Sequence, residues 1–421
     1  MIRMIKNFDM LATTPLRRDA LLIAEAAYAA IDTGLAIQKA LSLSGNTLSV
    51  GGKQFDLNTF QRVKVLGFGK ASCKAVQTIE SILRTHITEG IAIDVHAGTC
   101  NIVQIKQGTH PRPTPGNVEL TRGVVEMAKS TDKDLIIVAV SGGGSSLLCW
   151  PAEECEQGIR LYDDFLKAGT TIDEVNTVRK HISSVKGGGL AAMLHPATVI
   201  GLVFCDIPGD RFEDVASGPT YYDESTLADA QAVLDKYGLT GYTLNETPKD
   251  RTLFENVVNV PVVSNNRALR AMEAKAIELG YAAACAGDAL YDEPAALVAK
   301  MREKADATKA RMIVAGGESR LIVSKKSGKG GRCQYVSLEA LRQIGPGDVF
   351  LSFASDGIDN CDSAGAIADA QTTQKAEELE VSIAEHLESF NTYEFFEKTG
   401  DLLFTGETDA NVSDLFVYIR A

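Results

Sequence analysis

The 421-residue sequence lacks the cysteine patterns of a zinc site or a disulfide framework. Eight cysteines are present, but no two form a C-x-x-C pair, and the closest pair is Cys149 and Cys155. Metal and disulfide scaffolds depend on tighter and more regular spacing. The cysteines therefore predict reduced thiols of a cytosolic protein.

Long hydrophobic runs are also missing. A membrane span needs ~18 consecutive apolar residues, whereas the most apolar run, 135–140, stops after six. An early apolar stretch, 21–31, is interrupted by Glu25, which excludes the apolar core of a secretory signal. We therefore expect a cytoplasmic protein with no membrane partner.

Basic residues are too few for a protein that tracks nucleic acid. Lys and Arg total 42 against 55 Asp and Glu, giving a net charge of -13. A phosphate backbone repels such a surface, so the composition predicts no nucleic-acid partner.

Internal repeats are absent as well, which argues against a solenoid or propeller fold. With 45% hydrophobic residues the chain can bury a core, and its length suggests two or three domains at ~150 residues each.

Short β-branched runs alternate with longer helical stretches. Six runs predict strands: 63–66, 135–140, 198–204, 260–263, 312–315 and 349–353. Strands separated by helices are typical of α/β folds with parallel sheets covered on both faces.

The chain opens with a predicted helical arm at 14–43, which has Thr14 as a cap and Pro15 in its first turn. A polar, turn-rich stretch at 239–256 separates two series of strands and helices. We place the domain boundary there. The predicted domains are 1–245, which includes the arm, and 257–421.

Glycine clusters follow several predicted strands. They are Gly67-Phe-Gly69-Lys70, Ser141-Gly142-Gly143-Gly144-Ser145, Gly316-Gly317-Glu318 and Asp356-Gly357. A glycine loop at the start of a helix offers backbone N–H groups and a positive dipole end to an anion such as phosphate. The loop at 141–145 follows the most apolar strand, and open α/β sheets bind ligands at that end of a strand. Turn formation alone is the alternative for single glycines.

Two cations stand in these loops. Lys70 and Arg332 each follow glycine, so their side chains can reach an anion. Arg179, Lys180 and Lys186 are weaker candidates, because a basic helical face can simply meet solvent. Phosphoryl transfer requires mainly positioning and charge neutralisation, which such cations supply.

Carboxylates stand at the ends of the same predicted strands. Asp206, Asp356, Asp359 and Glu318 could accept a proton from a substrate hydroxyl or hold magnesium. Capping of a turn or a helix start is the alternative for each. The residues alone leave both roles open.

Standard nucleotide and hydrolase fingerprints are absent. Gly67-Phe-Gly69 lacks the third glycine of a dinucleotide turn, and neither Lys70 nor Lys186 stands in a G-x-x-x-x-G-K-[ST] frame. No H-x-x-x-H or G-x-S-x-G pattern occurs either. An ordinary Rossmann dehydrogenase, a P-loop NTPase, a zinc hydrolase and an α/β-hydrolase are therefore disfavoured.

Taken in order, the motifs resemble those of the glycerate 2-kinase family that carries a C-terminal MOFRL domain. The matching segments are Gly67-Phe-Gly-Lys-Ala71, Thr109-His-Pro-Arg-Pro113, Ser141-Gly-Gly-Gly-Ser145, Asn176-Thr-Val-Arg-Lys-His181, Asp206-Ile-Pro-Gly-Asp210, Ala216-Ser-Gly-Pro-Thr220, Gly316-Gly-Glu318, Gly330-Gly-Arg332 and Ser355-Asp-Gly-Ile-Asp359. They run through almost the whole chain, and their joint order is specific.

The resemblance implies an ATP- and Mg²⁺-dependent kinase that phosphorylates D-glycerate at its 2-hydroxyl. It implies two α/β domains, a Rossmann-like parallel sheet and a MOFRL-type domain, with the active site in the cleft between them. Lys70 and Arg332 would contact the transferring phosphoryl group or the substrate carboxylate, and Asp206 would be the acidic catalytic or metal-associated residue. Asp356, one of the carboxylates at the ends of the strands, is the predicted metal ligand.

The predicted nucleotide-binding residues lie in the glycine loops and beside them. They are Ser141, Gly142, Gly143, Gly144, Ser145, Lys186, Gly317 and Glu318. The expected partner is a small hydroxy acid, and the expected assembly is a monomer or a homodimer.

Several positions depart from the family pattern. Cys333, Tyr335 and Gly189 replace an asparagine, a glutamate and an arginine, and the segment Thr405-Gly-Glu-Thr-Asp-Ala-Asn411 replaces Thr-Gly-Pro-Thr-Gly-Thr-Asn. Polar groups discriminate strongly between substrates, so a kinase for a related sugar acid stays open. An NAD(P)H-dependent hydroxypyruvate reductase and a non-catalytic sensor of sugar acids stay open as well.

Overall fold

The computed structural model describes residues 3–207, 209–323 and 328–421. Its α-helices are, in chain order, α1 Phe8–Leu11, α2 Pro15–Ile31, α3 Thr33–Ala40, α4 Ser72–Leu83, α5 Pro115–Met127, α6 Gly144–Leu147, α7 Ala152–Ala168, α8 Ile172–His181, α9 Gly189–Leu194, α10 Leu227–Lys236, α11 Asn265–Glu278, α12 Pro294–Thr308, α13 Arg332–Ala340, α14 Ala370–Glu378, α15 Ile383–Glu388 and α16 Thr392–Thr399.

Its strands are β1 Leu41–Ser44, β2 Thr47–Val50, β3 Lys53–Asp56, β4 Arg62–Phe68, β5 Glu89–Asp94, β6 Val103–Gln107, β7 Asp134–Ser141, β8 Thr198–Phe204, β9 Val257–Val263, β10 Ala283–Cys285, β11 Met312–Gly317, β12 Val349–Ala354, β13 Gly365–Asp369, β14 Leu402–Leu403 and β15 Asp414–Ile419. All six predicted runs lie within strands. Short 3-10 turns occur at Leu57–Thr59, Arg84–His86, Phe212–Ser217 and Arg251–Phe254.

The chain divides into two compact units. The parallel-sheet unit comprises Thr33–Asp206 and Arg211–Val263, and the mixed-sheet unit comprises Met1–Asp32, Ile207–Asp210 and Ser264–Ala421. Each unit has its own six-stranded sheet.

The parallel-sheet unit is built on a sheet in the order β6-β5-β4-β7-β8-β9, and every neighbouring pair is parallel. All eight residues of β7 are buried, because helices cover both faces of a central parallel strand. A separate antiparallel meander, β1-β2-β3, belongs to the same unit. The prediction of a parallel α/β sheet is confirmed.

The mixed-sheet unit has the strand order β10-β11-β15-β12-β13-β14. β10 and β11 are parallel, whereas β15 lies between β11 and β12 and is antiparallel to both. Its core includes Val336, Phe350, Phe416 and Tyr418, which come from α13, β12 and β15. This second α/β sheet confirms the predicted fold class, although β15 was not among the predicted strands.

The observed units do not coincide with the predicted domains 1–245 and 257–421, because the start of the opening arm and the strand β9 each belong to the other unit. Helix α2 packs against α11, so the opening arm joins the mixed-sheet unit. Strand β9 pairs in parallel with β8, so it completes the parallel sheet.

Thr14 caps α2 by accepting a hydrogen bond from the Arg17 amide, as its position predicts, and Pro15 is the first residue of the helix. The arm is interrupted at Asp32 and ends in β1.

Arg17 on α2 is buried within the mixed-sheet unit. Its Nε and Nη2 donate to the carboxylate of Asp369 at 2.6 Å each, and its Nη1 donates to Asp401 at 2.7 Å. A buried cation needs such partners, because unpaired burial costs several kcal/mol. The pairing fastens the arm to this unit.

Within the described residues, no single helix is long and apolar enough to cross a membrane. In the same described part of the chain, one pair of helices reaches the length and hydropathy of a span when taken together, α2 and α3, and this pair is bent by 60° at its break.

Candidate functional site

Three loops meet at one edge of the parallel sheet. They follow the adjacent strands β4, β7 and β8 and carry Lys70, the 141–145 loop and Asp206 respectively. The Lys70 amide donates to the Gly142 carbonyl at 2.9 Å, and the Ala71 amide donates to Oγ of Ser141 at 3.1 Å. The carboxyl ends of parallel strands are the usual place for a ligand in such folds. Three sets of predicted residues therefore lie together.

Glycine is required at two positions of this loop by close neighbours. A Cβ at Gly142 would overlap the carboxylate of Asp206. Gly143 has φ +79°, and a Cβ there would lie 3.0 Å from Cδ2 of His110 and 3.1 Å from Cγ of Lys70. The missing side chains thus let a lysine, a histidine and an aspartate approach the same backbone turn.

The loop presents backbone donors to its surroundings. Among the hydrogen bonds of the described residues, none is donated by the amides of Gly142, Gly143 or Gly144. The hydroxyl of Ser145, in contrast to these amides, has a hydrogen-bond partner: its Oγ lies 2.9 Å from Oγ of Ser217. Unpaired N–H groups beside a lysine form an anion-binding concavity, as the glycine pattern predicts.

The charge on this edge comes from Lys70. The residue is exposed, and within the described part of the chain it forms no ion pair with a carboxylate. Burial lowers the pKa of His110 to about 4, and the nearby Lys70 charge acts in the same direction. His110 is therefore a neutral imidazole at pH 7 and adds no charge beside Lys70.

Lys186, a predicted nucleotide contact, lies inside the parallel-sheet unit. Its Nζ donates to the Leu148 carbonyl at 2.7 Å and forms a short ion pair with Glu154. Its side chain has no exposed surface. The ammonium thus holds the segment that follows the glycine loop.

A second cluster surrounds Arg332 at one edge of the mixed sheet. Arg332 is the first residue of α13. Its Nη1 lies 2.9 Å from Oε2 of Glu318, and its Nε lies 3.2 Å from Oδ2 of Asp414. Although burial opposes the charge, the two carboxylates raise the pKa of the guanidinium. The cation is therefore held from two sides.

Two buried carboxyl groups accompany Arg332. Asp359 accepts from the amides of Cys333 at 3.0 Å and Gln334 at 2.8 Å, which occupies the first amides of α13. Burial raises the pKa of Asp359 to about 6 and that of Asp414 to about 7, and the Arg332 charge opposes the rise in both. The site thus holds two carboxyl groups that titrate near neutral pH.

Asp414 was not predicted from the sequence. It is the first residue of β15, and its register partners are Gly317 of β11 and Ala354 of β12. One acidic residue before a short apolar run does not by itself indicate a functional site. The residues around Asp414 come from β11 and β12, which are far from it in the sequence.

The other predicted residues of this unit lie around the same edge. Gly317 ends β11 and bridges to Leu290, so its backbone serves packing. Asp356 accepts from the Ile358 amide at 3.1 Å and from Nδ2 of Asn411 at 3.4 Å. Glu318 and Asp356 both line a cavity of about 450 Å³ that Arg332 also borders.

The departures from the family pattern have separate places. Cys333 is fully buried in the mixed-sheet unit. Tyr335 stacks on Phe390, with ring centroids 5.7 Å apart, and both rings line the 450 Å³ cavity. Gly189 begins α9, where a Cβ would overlap the Ser184 carbonyl. Of the three, only Tyr335 borders this cavity.

Two family models match the chain. One, a domain of unknown function designated DUF4147, covers residues 19–249, and the MOFRL family covers residues 311–414. The first match falls mainly in the parallel-sheet unit, and the second lies within the mixed-sheet unit.

Named relatives match over most of their length. Glycerate 2-kinase of Pyrococcus horikoshii is 33% identical over 94% of this chain and 96% of that protein. A putative hydroxypyruvate reductase of Agrobacterium vitis is 31% identical over 84% of this chain and 86% of that protein. The crystal structure of glycerate kinase from Thermotoga maritima superposes with a TM-score of 0.82 and 28% identity, covering 96% of this chain and 99% of that chain.

Proposed function

Because the chain belongs to the glycerate 2-kinase family, we propose that it transfers the γ-phosphoryl group of ATP to the 2-hydroxyl of D-glycerate, giving 2-phosphoglycerate and ADP. One observation carries the proposal beyond family membership. Lys70, the unpaired amides of the 141–145 loop and the Asp206 carboxylate meet at one edge of the parallel sheet. A cation, an anion cradle and a carboxylate base are the parts that phosphoryl transfer to an alcohol requires.

Asp206 is the proposed base. Its carboxylate lies against Gly142, at the end of β8, and the residue is partly exposed. A carboxylate in that position can accept the proton of the attacking 2-hydroxyl as the oxygen bonds to phosphorus. Lys70 and the loop amides neutralise charge on the phosphoryl oxygens.

Arg332 is proposed to act in the same reaction. Its guanidinium is oriented by Glu318 and Asp414, and a planar cation held in this way can bind phosphate oxygens in a fixed direction. The family resemblance places the active site in the cleft between the two domains, and that placement stays a prediction.

ATP and Mg²⁺ fit the residues of the mixed-sheet unit. The 450 Å³ cavity has a polar wall at Gly331 and Arg332 and an aromatic wall at Tyr335 and Phe390, which suit phosphates and a planar base. Asp356 would hold the metal, which supplies charge neutralisation on the phosphates when bound. Within the described residues, no group of three or more metal-ligating side chains is gathered, and Mg²⁺ commonly binds through one or two carboxylates, phosphates and water.

A hydroxypyruvate reductase is the second candidate, since two relatives from Agrobacterium vitis bear that name. Its nicotinamide cofactor would need a glycine turn after β4. The place of the third glycine is taken by Ser72, whose Oγ donates to the Ile93 carbonyl at 2.9 Å. This local structure favours the kinase.

The test is release of ADP from ATP, Mg²⁺ and D-glycerate, run beside L-glycerate, larger sugar acids, and hydroxypyruvate with NADH. Turnover with D-glycerate as the preferred acceptor is expected. Oxidation of NADH without ATP consumption would replace the kinase by the reductase. Turnover only with a larger acid would keep the reaction and change the acceptor.

A further inference from the structure

A cavity of about 230 Å³ borders the glycine loop within the parallel-sheet unit. Gly143, Ser145 and Ser146 form one wall, and Arg179, from α8, forms another. A volume of this size has room for a three-carbon acid.

Arg179 brings a positive charge to this cavity without an acidic partner. Its Nη1 donates to Oδ1 of Asn176 at 2.9 Å, and within the described residues it forms no ion pair. Burial lowers the pKa of the guanidinium. Because a partly desolvated cation is costly when unpaired, the arrangement favours an anion in the cavity.

One acid also lines this cavity, Glu154, and its charge acts on Arg179. Glu154 is paired with Lys186, which lies outside the lining. One oxygen of Glu154 also accepts from the Trp150 amide at 2.8 Å. His110, with its pKa lowered to about 4, is neutral at pH 7. Arg179 is therefore a cation of the lining that has no ion-pair partner among the described residues.

Hydrogen bonds tie Arg179 to the glycine loop. Oδ1 of Asn176 accepts from Arg179 and, at 3.4 Å, from Oγ of Ser217, which lies 2.9 Å from Oγ of Ser145. Ser217 and its neighbour Ala216 have φ of +60° and +52°, a backbone region that costs free energy for residues other than glycine. These hydrogen bonds connect the Arg179 guanidinium to Ser145 of the glycine loop.

We infer that this cavity binds the carboxylate of the acceptor and that Arg179 is its cation. The inference rests on the proposed function and specifies it: the acceptors are small 2-hydroxy acids, recognised by a carboxylate next to the hydroxyl. A guanidinium matches a carboxylate with two parallel hydrogen bonds. Lys70 and Arg332 are then left for the phosphoryl group.

The first test is the Michaelis constant of Arg179→Gln. Loss of a charged hydrogen bond to the acceptor should raise KM for D-glycerate about tenfold or more and leave KM for ATP within about twofold. Arg122→Gln is the matched control, because Arg122 lies exposed on α5, does not line this cavity, and forms an ion pair with its neighbour Glu119 at 2.9 Å. A rise in KM for ATP alone would overturn the inference and assign the cavity to nucleotide phosphate.

The second test removes the charge from the ligand. Protection against thermal unfolding is measured with D-glycerate and with its amide, glyceramide, in the absence of ATP. The wild type should be protected by the acid and not by the amide, and Arg179→Gln should abolish the difference. Equal preference for the acid in the variant would contradict a role for Arg179.

Two controls separate the possible failures. If Arg179→Gln unfolds, Arg179→Lys retains the charge without the two-pronged geometry and should still weaken D-glycerate in both assays. If the wild type shows no turnover on D-glycerate but another hydroxy acid protects it in an Arg179-dependent way, the proposed function fails and the cavity assignment holds. Normal turnover on D-glycerate with no effect of either variant would keep the proposed function and overturn the cavity assignment.

Discussion

The two sheet edges hold their cations in opposite ways. Lys70 in the parallel-sheet unit stands exposed beside unpaired amides and a neutral His110, with no carboxylate partner in the described residues. Arg332 in the mixed-sheet unit is held by Glu318 and Asp414. The Lys70 ammonium can change its position to contact an anion, whereas the Arg332 guanidinium is held in one orientation by its two carboxylate partners. In the proposed reaction both cations bind phosphoryl oxygens, and we expect them to tolerate substitution differently.

The largest effect is expected at Arg332. Arg332→Ala should lower kcat/KM by about 1,000-fold, because it removes a phosphoryl-binding cation and leaves two carboxylates facing the same site. Arg332→Lys should recover little of this loss, since an ammonium cannot reach both carboxylates and a phosphate. Steady-state kinetics with ATP and D-glycerate give the comparison. Full activity of Arg332→Lys would show that only charge matters at this edge.

A somewhat smaller effect is expected at Lys70. Lys70→Ala should lower kcat by about 100-fold while the fold stays intact, because the exposed side chain makes no ion pair. Lys70→Arg should retain much of the activity, since the position requires a charge and not a particular geometry. Near-normal turnover of Lys70→Ala would remove this residue from the catalytic set. Circular dichroism serves as the control for folding.

The sequence predicts the parallel-sheet edge better than the mixed-sheet edge. Lys70, Gly143 and Asp206 each follow a strand, and parallel strands bring their carboxyl ends together without further information. Asp414 lies at the start of an antiparallel strand, so its position depends on pairings with β11 and β12 that local pattern does not encode. The central strand β15 was missed for the same reason.

Two buried cations mark the limit of reading charge from position. Lys186 follows a helix and precedes glycines, a pattern typical of ligand contacts, yet its charge pairs with Glu154, 32 residues away. Arg17 lies in the first turn of α2 and pairs with Asp369 and Asp401, which are more than 350 residues away in the sequence. Burial of a charge depends on partners from distant parts of the chain.

The Lys186 pair predicts a change in stability. Lys186→Met should lower the free energy of unfolding of the parallel-sheet unit by about 3 kcal/mol, because Glu154 would be left charged and buried. The double variant Lys186→Met with Glu154→Leu should recover most of the loss. Urea denaturation followed by the fluorescence of Trp150, the single tryptophan, reports on this unit. A stable Lys186→Met with a raised KM for ATP would instead support the nucleotide contact predicted from the sequence.

The smallest expected effect is a difference in pH dependence between the two edges. Burial raises the pKa of Asp414 to about 7, so the folded state binds the extra proton, and stability of the mixed-sheet unit falls from about pH 4 to pH 7. Burial lowers the pKa of His110 to about 4, so the unfolded state binds the extra proton, and stability of the parallel-sheet unit rises between about pH 4 and pH 6.5. The two contributions have opposite signs.

Hydrogen exchange measured by mass spectrometry on peptides from each unit can separate these contributions. Asp414→Asn should remove the part of the fall between about pH 6 and pH 7 and leave the part due to Asp359, whose pKa burial raises to about 6. His110→Asn should remove the rise in the parallel-sheet unit only. A common pH response of both units, unchanged by either substitution, would contradict the assignment of these groups.

The proposed reaction places the phosphate on the 2-hydroxyl of D-glycerate, and ³¹P NMR of the product can test this. The product is formed by the wild type from ATP, Mg²⁺ and D-glycerate, with Arg332→Ala run in parallel at the same protein concentration. We expect a phosphomonoester whose phosphorus couples to the single proton at C2, formed about 1,000-fold more slowly by the variant. Coupling to the C3 methylene protons, or equal rates of product formation by both proteins, would overturn the proposed reaction.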